Sequence, residues 1–283
     1  MQPFPHPEPI TSPANPRIKH LVRLRERRER DESGLFLIEG YRELSRALEA
    51  GVELTELYSC PALYLGEHEG ALVEAAIAAG AELVPVAESP FRKASYRDRP
   101  EGLLGVARQF PTGLERLQPG PDPLLLVVEA IEKPGNLGTM LRTAEAAGAA
   151  AVVVCDPATD PFNPNVVRAS LGTLFSVPVV VGDTPGAIAR LRALGIRTVA
   201  TTPSASLAHW EADLTGPVAV VVGSEQYGLS AAWLEAADLR VVIPMPGSVD
   251  SLNAAMAAGV VLFDAVRQRA AADRSARPPS APN

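Results

Sequence analysis

Six short apolar runs between residues 124 and 243 limit the folds open to this chain more than any other feature. They lie at 124–128, 150–154, 177–181, 198–200, 218–222 and 239–243. Each is strand-length and apolar on successive residues, so neither face is suited to water. Helical stretches at 139–147, 186–194 and 231–236 separate most of them. Strands apolar on both faces, alternating with helices, need cover on both sides; the pattern predicts an α/β domain around a buried parallel sheet. In such sheets ligands sit in the loops at the carboxyl ends of the strands. A last helix is predicted over 252–269. The segment after it, rich in Pro, Ser, Ala and Arg, is expected to be disordered.

A smaller α/β unit precedes this domain. Asn15-Pro16 reads as a helix start, because Asn caps and Pro suits the first helical position. The basic run that follows is expected on that one helix. Strands are predicted at 35–38, 54–59, 82–86 and 103–107, with helices at 41–50 and 71–79. Residues 111–122 are rich in Pro and Gly and read as a linker. The expected division is therefore 12–110, a linker at 111–122, a second domain at 123–270 and a tail at 271–283.

A length of 283 residues suits two domains, and 47% hydrophobic residues exclude wholesale disorder. Cys60 and Cys155 are too few for a disulfide framework or a structural zinc site, and no cluster with metal-ligand spacing appears. The apolar runs are too short to span a bilayer, and residues 1–9 lack the pattern of a signal peptide. A cytoplasmic protein without metal or membrane attachment is expected. The net charge of −7 argues against a surface coated in positive charge. Two basic clusters stand out all the same: Arg17, Lys19, Arg23, Arg25, Arg27, Arg28 and Arg30, then Arg92, Lys93, Arg97 and Arg99. They read either as solvated helix faces or as a polyanion footprint.

Three polar, glycine-bearing loops follow strands of the second domain. The first is Glu132-Lys-Pro-Gly-Asn-Leu-Gly-Thr-Met-Leu-Arg142, with a helix expected near Thr139. It is a candidate anion site at a helix N-terminus, yet it matches neither the dinucleotide fingerprint nor a Walker loop. Arg142 falls on the helix face of Gly135 and Gly138, as a surface arginine or a ligand. The second loop is Gly223-Ser-Glu-Gln-Tyr-Gly-Leu229. Glu225, just after a buried strand, needs a partner or caps the next helix. The third loop, 243–253, leads into the last helix; Ser251 is expected to cap it, with Asn253 in its first turn. None of the four histidines lies in these loops, so histidine acid–base chemistry is not expected.

Asn136-Leu-Gly-x-x-x-Arg142-Thr, Gly223-x-Glu225-x-x-Gly228-Leu, and Ile243-Pro-Met-x-Gly-Ser with Ser251-Leu-Asn253 resemble, in order and spacing, the three motifs of the SpoU (TrmH-type) RNA ribose methyltransferases of the SPOUT superfamily. Asn15-Pro-Arg-Ile-Lys19, Phe36-Leu-Ile-Glu-Gly40 and Ser95-Tyr-Arg-Asp-Arg-Pro-Glu-Gly102 resemble the family's ribosomal-protein-L30e-like substrate-binding extension. The resemblance implies transfer of a methyl group from S-adenosylmethionine to a ribose 2′-hydroxyl, in rRNA more than tRNA. It implies a homodimer and a deep trefoil knot in the parallel-sheet domain. Gly223, Ile243 and Leu252 would hold the cofactor largely through backbone groups. Arg142 would meet the 2′-hydroxyl and a phosphate, and Glu225 would orient Arg142 or the hydroxyl. Ser251, Asn253 and Asn136 would complete the polar network. Arg17, Lys19, Arg23, Arg97 and Arg168 would bind RNA. Gln226 and Tyr227 stand where the family often has glycine after its glutamate, a departure that bears on the loop and its RNA contacts. Two other readings compete: a non-catalytic RNA-binding protein of the same fold, and a nicotinamide-dependent oxidoreductase, against which the missing dinucleotide fingerprint counts.

Overall fold

A computed structural model describes residues 8–276. The chain forms two compact units, each with its own sheet. One takes the residues up to Pro111 together with Asp160–Ser176; the other takes Thr112–Thr159 and the chain from Val177 onward.

In chain order the first unit holds α1 (Pro16–Arg23), α2 (Arg27–Ser33), β1 (Leu35–Glu39), α3 (Tyr41–Glu49), β2 (Leu54–Ser59), α4 (Glu69–Ala78), β3 (Glu82–Pro85), α5 (Glu88–Ala94) and β4 (Leu103–Arg108). Its sheet runs β1-β4-β2-β3, with β4 antiparallel to both neighbours and β2 parallel to β3. Asn15 starts α1 as its sequence promised: its side chain accepts from Arg17 N at 2.9 Å, and Pro16 takes the first position. The basic run, however, occupies two helices rather than one. The chain breaks at Leu24, whose side chain is fully buried with Ile18 and Leu21. The carbonyls freed at the break need donors. The buried Arg30 guanidinium supplies them, to Leu24 O at 3.0 Å and Arg25 O at 2.6 Å.

The second unit continues with β5 (Leu124–Glu129), α6 (Pro134–Ala146) and β6 (Ala151–Cys155). Next comes α7 (Pro164–Ser170), which belongs to the first unit. Then follow β7 (Val179–Gly182), α8 (Thr184–Ala193), β8 (Arg197–Thr201), β9 (Leu207–Ala208), β10 (Val218–Val222), α9 (Ala231–Ala236), β11 (Leu239–Val242) and α10 (Ala254–Ala276). The sheet order is β7-β6-β5-β10-β8-β11-β9, and every pairing is parallel. Each expected strand is present, and the two-residue edge strand β9 is additional. The central strands β5 and β10 are buried along their whole length, as their unbroken apolar runs require. Among the described residues no helix is long and apolar enough to cross a membrane.

Three boundaries differ from expectation. Residues 112–117 pack on the second unit instead of hanging free: Val181 N donates to Thr112 O at 2.6 Å, and Leu117 is 1% exposed in the core. Residues 160–176 leave the second unit for the first. There Asp160 meets Arg30 at 2.6 Å, and the Phe162 ring centre lies 4.9 Å from those of both Phe36 and Phe110, tilted to the first and edge-on to the second. The last helix starts at Ala254 and runs on through Ala276, so residues 271–276 are helical rather than disordered; 277–283 lie outside the described residues.

Candidate active site

The three loops meet at the carboxyl edge of the parallel sheet of the second unit. Strand β10 is followed by Gly223, where only glycine fits: a Cβ there would lie 2.2 Å from the Gly228 carbonyl. Ser224 and Gly228 pair as a one-rung hairpin, with N–H···O bonds of 3.1 and 3.0 Å in the two directions. Ser224 Oγ also accepts from Tyr227 N at 3.1 Å. The far end of the loop is anchored from below. The buried Glu129 carboxylate, at the tip of β5, accepts from Ser230 N at 2.7 Å and from Thr184 Oγ1 at 2.8 Å. Ser230, and not Glu225, caps α9.

Glu225 is thereby left to project toward α6 and α10. Its Oε2 accepts from Lys133 Nζ at 2.5 Å, and its Oε1 accepts from Asn136 Nδ2 at 2.7 Å and from Asn253 Nδ2. Asn253 Nδ2 lies also 3.2 Å from Asn136 Oδ1. Four residues from three separate loops thus form one polar cluster. Helix α6 begins at Pro134 and not near Thr139, because Pro at the first position has a preset φ and lacks an N–H that would go unpaired anyway. That early start puts Asn136 in the first turn and makes Gly135 and Gly138 helical, so they do not form the open loop expected of them. At α10 the capping residue is Asn253: its Oδ1 accepts from Ala255 N at 3.0 Å and Met256 N at 3.4 Å. Ser251, expected as the cap, lies exposed upstream on the wall of the neighbouring cavity.

The charge state follows from the partners. Lys133 holds the Glu225 carboxyl below the usual carboxylate range, helped by Asn136 and opposed by slight burial. Glu225 in turn raises the Lys133 ammonium. Lys133 was not among the expected site residues. Its position just before the Pro134 helix start was the available signal, but the sequence could not say that a glutamate 92 positions away would meet it.

Beside the cluster lies a cavity of about 360 Å³. Gly223, Ile243 and Leu252 all line it, together with Glu225, Leu229 and Thr201. Thr201 Oγ1, at the end of β8, is buried without a hydrogen-bond partner. Arg142 stands apart. It is exposed on α6, and the hydrogen-bond partners of Glu225 are Lys133, Asn136 and Asn253, so of the two roles expected for Glu225 the orienting of Arg142 is not seen in this chain. Six positions past Asn136, it sits ~9 Å further along the helix and about a third of a turn round from it.

The expected RNA contacts also divide. Lys19 and Arg168 are exposed. Arg17 pairs with Glu82 at 2.9 Å and Arg23 with Glu29 at 3.2 Å, at the surface. Arg97 is a correction: it is only 12% exposed, donating to Glu39 O at 2.8 Å and Glu43 Oε1 at 2.7 Å and pairing with Glu101. A guanidinium so engaged holds its own unit together and presents no face to a nucleic acid. Among the described residues no group of three or more His, Cys, Asp or Glu is placed to hold a metal ion.

Known proteins match both units of the chain. Residues 123–263 match the SpoU rRNA methylase family, and residues 15–105 match the MRM3-like substrate binding domain. A 23S rRNA (uridine(2479)-2′-O)-methyltransferase of Streptomyces viridochromogenes is 34% identical, with 86% of each chain covered. A crystal structure of an RNA 2′-O ribose methyltransferase is 45% identical with TM-score 0.81, covering 92% of this chain and 99% of its own. An AdoMet-bound rRNA methyltransferase from Sinorhizobium meliloti is 32% identical with TM-score 0.84, covering 92% and 97%. With two such domains in order and relatives matched over most of both chains, this chain belongs to the SpoU family of rRNA methylases.

Proposed function

We propose that this protein transfers a methyl group from S-adenosylmethionine to a ribose 2′-hydroxyl of rRNA. The observation that carries the reading is the Lys133–Asn136–Glu225–Asn253 cluster beside the 360 Å³ cavity. The cavity suits the cofactor: its volume is in the range of small-molecule sites, and Thr201 Oγ1 lacks a partner there. When bound, S-adenosylmethionine supplies a methyl carbon on a positively charged sulfur. Gly223, Ile243 and Leu252 would hold it against the sheet edge.

The chain's own residues then have to place a ribose hydroxyl in line with that carbon. Positioning is worth much in such a displacement. Glu225 stays ionised and fixes the two amides, so Asn136 and Asn253 present a rigid polar edge to the ribose. Ser251 extends that edge from the cavity wall. Arg142 is free to meet the phosphate and the oxygen on which negative charge develops. A guanidinium is effectively always protonated, so its role is electrostatic and not that of a base. Lys19, Arg168 and the surface-paired Arg17 and Arg23 supply the RNA footprint, with affinity that falls steeply with salt.

The enzyme works as a homodimer in the cytoplasm. The support for a dimer is the exposed apolar stripe Met256, Val260 and Phe263 on α10, at one-turn spacing. The returning order of β10 and β11 within the sheet supports the trefoil knot that the family resemblance implies.

Methyl transfer from labelled S-adenosylmethionine to unmodified rRNA and tRNA pools tests the reading, with Arg142→Ala alongside. The expected result is label in rRNA that disappears in the variant. No label in any RNA together with no cofactor binding would leave the non-catalytic RNA-binding reading as the better one.

A further inference from the structure

Tyr227 is the odd residue in the neighbourhood of the cavity. It is the one aromatic among the residues lining it, and it is 76% exposed. Its backbone is far from free. Ser224 Oγ holds its amide, the Ser224–Gly228 rung closes the turn around it, and Gly228 at φ +67° completes the turn in a conformation that favours glycine. A rigid turn therefore presents an unsupported ring two residues from Glu225.

Taking the proposed methyl transfer as given, we infer that Tyr227 is the stacking platform for the base of the nucleotide being methylated. The argument is one of what the substrate must lose. Sequence-specific RNA recognition mostly takes nucleotides from loops and bulges whose bases splay out of the stack, and a protein that takes such a nucleotide replaces the lost contact with an aromatic or guanidinium face. Aromatic side chains do this for every base, since each has a π face. With the ribose held at the Glu225 cluster, its base has to lie near that loop. The adenine of the methyl donor is the competing occupant. The wall formed by Leu229, Leu234, Ile243 and Ala257 is apolar and buried or half-buried, and suits it better than an exposed ring does. A ring with three-quarters of its surface in solvent faces outward, where the RNA arrives. Stacking is sequence-tolerant, so Tyr227 strengthens capture of the flipped nucleotide, while its phenol hydroxyl is available to one base edge.

The test compares Tyr227→Ala and Tyr227→Phe in the full-length protein, using the rRNA transcript that the wild type methylates. Removing a stack should raise KM for RNA by about 5- to 150-fold. Tyr227→Phe should restore KM to near the wild-type value. The dissociation constant for S-adenosylmethionine and the sedimentation coefficient should not move in either variant. Once the methylated nucleotide is mapped, an RNA abasic at that position should bind wild type and Tyr227→Ala alike. A rise in the cofactor dissociation constant with an unchanged KM for RNA would assign the ring to the donor. A shift to a lighter species would assign it to a protein interface, and unchanged constants throughout would leave it without a role. Each of these overturns the inference while the methyltransferase reading stands. A wild type that labels no RNA would remove that reading and this inference with it.

Discussion

The two units each build a cluster from the same kinds of side chain and put it to opposite use. In the first unit Glu39 and Glu43 are 0% and 2% exposed, and Arg97 reaches both residues. Ser95 Oγ donates to Glu39 as well, and Tyr96 N donates to Glu39 Oε2 at 3.1 Å. Burial dominates there and pushes both carboxyls above their ordinary range, against the pull of Ser95 and Arg97. In the second unit Glu225 lies at the surface with Lys133, whose side chain is 70% exposed. The ammonium dominates there and pushes the carboxyl down. A buried network whose carboxylates are met by a guanidinium, a hydroxyl and a backbone amide holds a fold, although Arg97 Nε is left without a partner. An open one, next to a cavity with an unpartnered hydroxyl, is placed to act on something else.

The comparison breaks first at Arg97. Arg97→Met leaves Glu43 buried without its cation, so it should cost about 3–5 kcal/mol of stability. Denaturant unfolding reads this directly; a loss below ~1 kcal/mol would mean that the first unit does not depend on its buried network. Lys133→Gln is the counterpart in the second unit. An exposed pair is worth at most ~1 kcal/mol, so kcat/KM should fall by no more than about fivefold. The acid limb of the pH profile should move upward, because the carboxyl loses the charge that kept it ionised. An unmoved limb would mean that Glu225 ionisation does not govern the rate.

A finer contrast is the sign of the pH dependence. A carboxyl whose folded pKa is depressed adds stability that is present above its unfolded pKa and is lost as pH falls through the folded value. Glu225 is of this kind. Glu39 is the reverse: its folded pKa is raised, so its contribution grows more favourable on acidification through the carboxylate range and is lost as pH rises. Unfolding midpoints against pH should therefore change slope in opposite directions for Glu225→Gln and Glu39→Gln. The smallest effect is expected at Lys19. Lys19→Ala should leave stability within about 0.5 kcal/mol. If Lys19 meets a phosphate, the slope of log RNA affinity against log salt should drop by roughly 0.7–0.9. An unchanged slope would remove it from the footprint.

The sequence was most legible where one rule decided the outcome. Unbroken apolar runs pointed to the parallel sheet, and glycine-bearing loops after those strands marked the edge where the cavity lies. Asn136, Glu225 and Asn253 were singled out from motifs in three separate loops, and the fold brings them to hydrogen-bonding distance. What the sequence could not show was competition between partners. Arg97 looked like any other arginine in a basic cluster, and only the packing of Glu39 and Glu43 beneath it decides that it is spent inside. Lys133 was hidden for the converse reason, since its partner comes from a distant loop. The expected cap at Ser251 gave way to Asn253, because both residue types cap well and the position where the chain turns settles the choice. Residues 160–176 carry no compositional break, so their departure to the first unit rests on Phe162 and Asp160 finding Phe36 and Arg30.

The claim that the open cluster performs chemistry while the buried one holds the fold meets its sharpest test in a single variant. Glu225→Gln keeps the shape of the side chain and removes its charge. Methyl transfer to rRNA and the midpoint of unfolding should be measured on the same preparation near neutral pH. The expected outcome is a fall in kcat of about 10²–10³-fold, the size of losing one preorganised electrostatic group, with stability lowered by no more than the ~1 kcal/mol that an exposed ion pair is worth. An unchanged rate, or a lost rate accompanied by unfolding, would contradict the assignment of this cluster to catalysis.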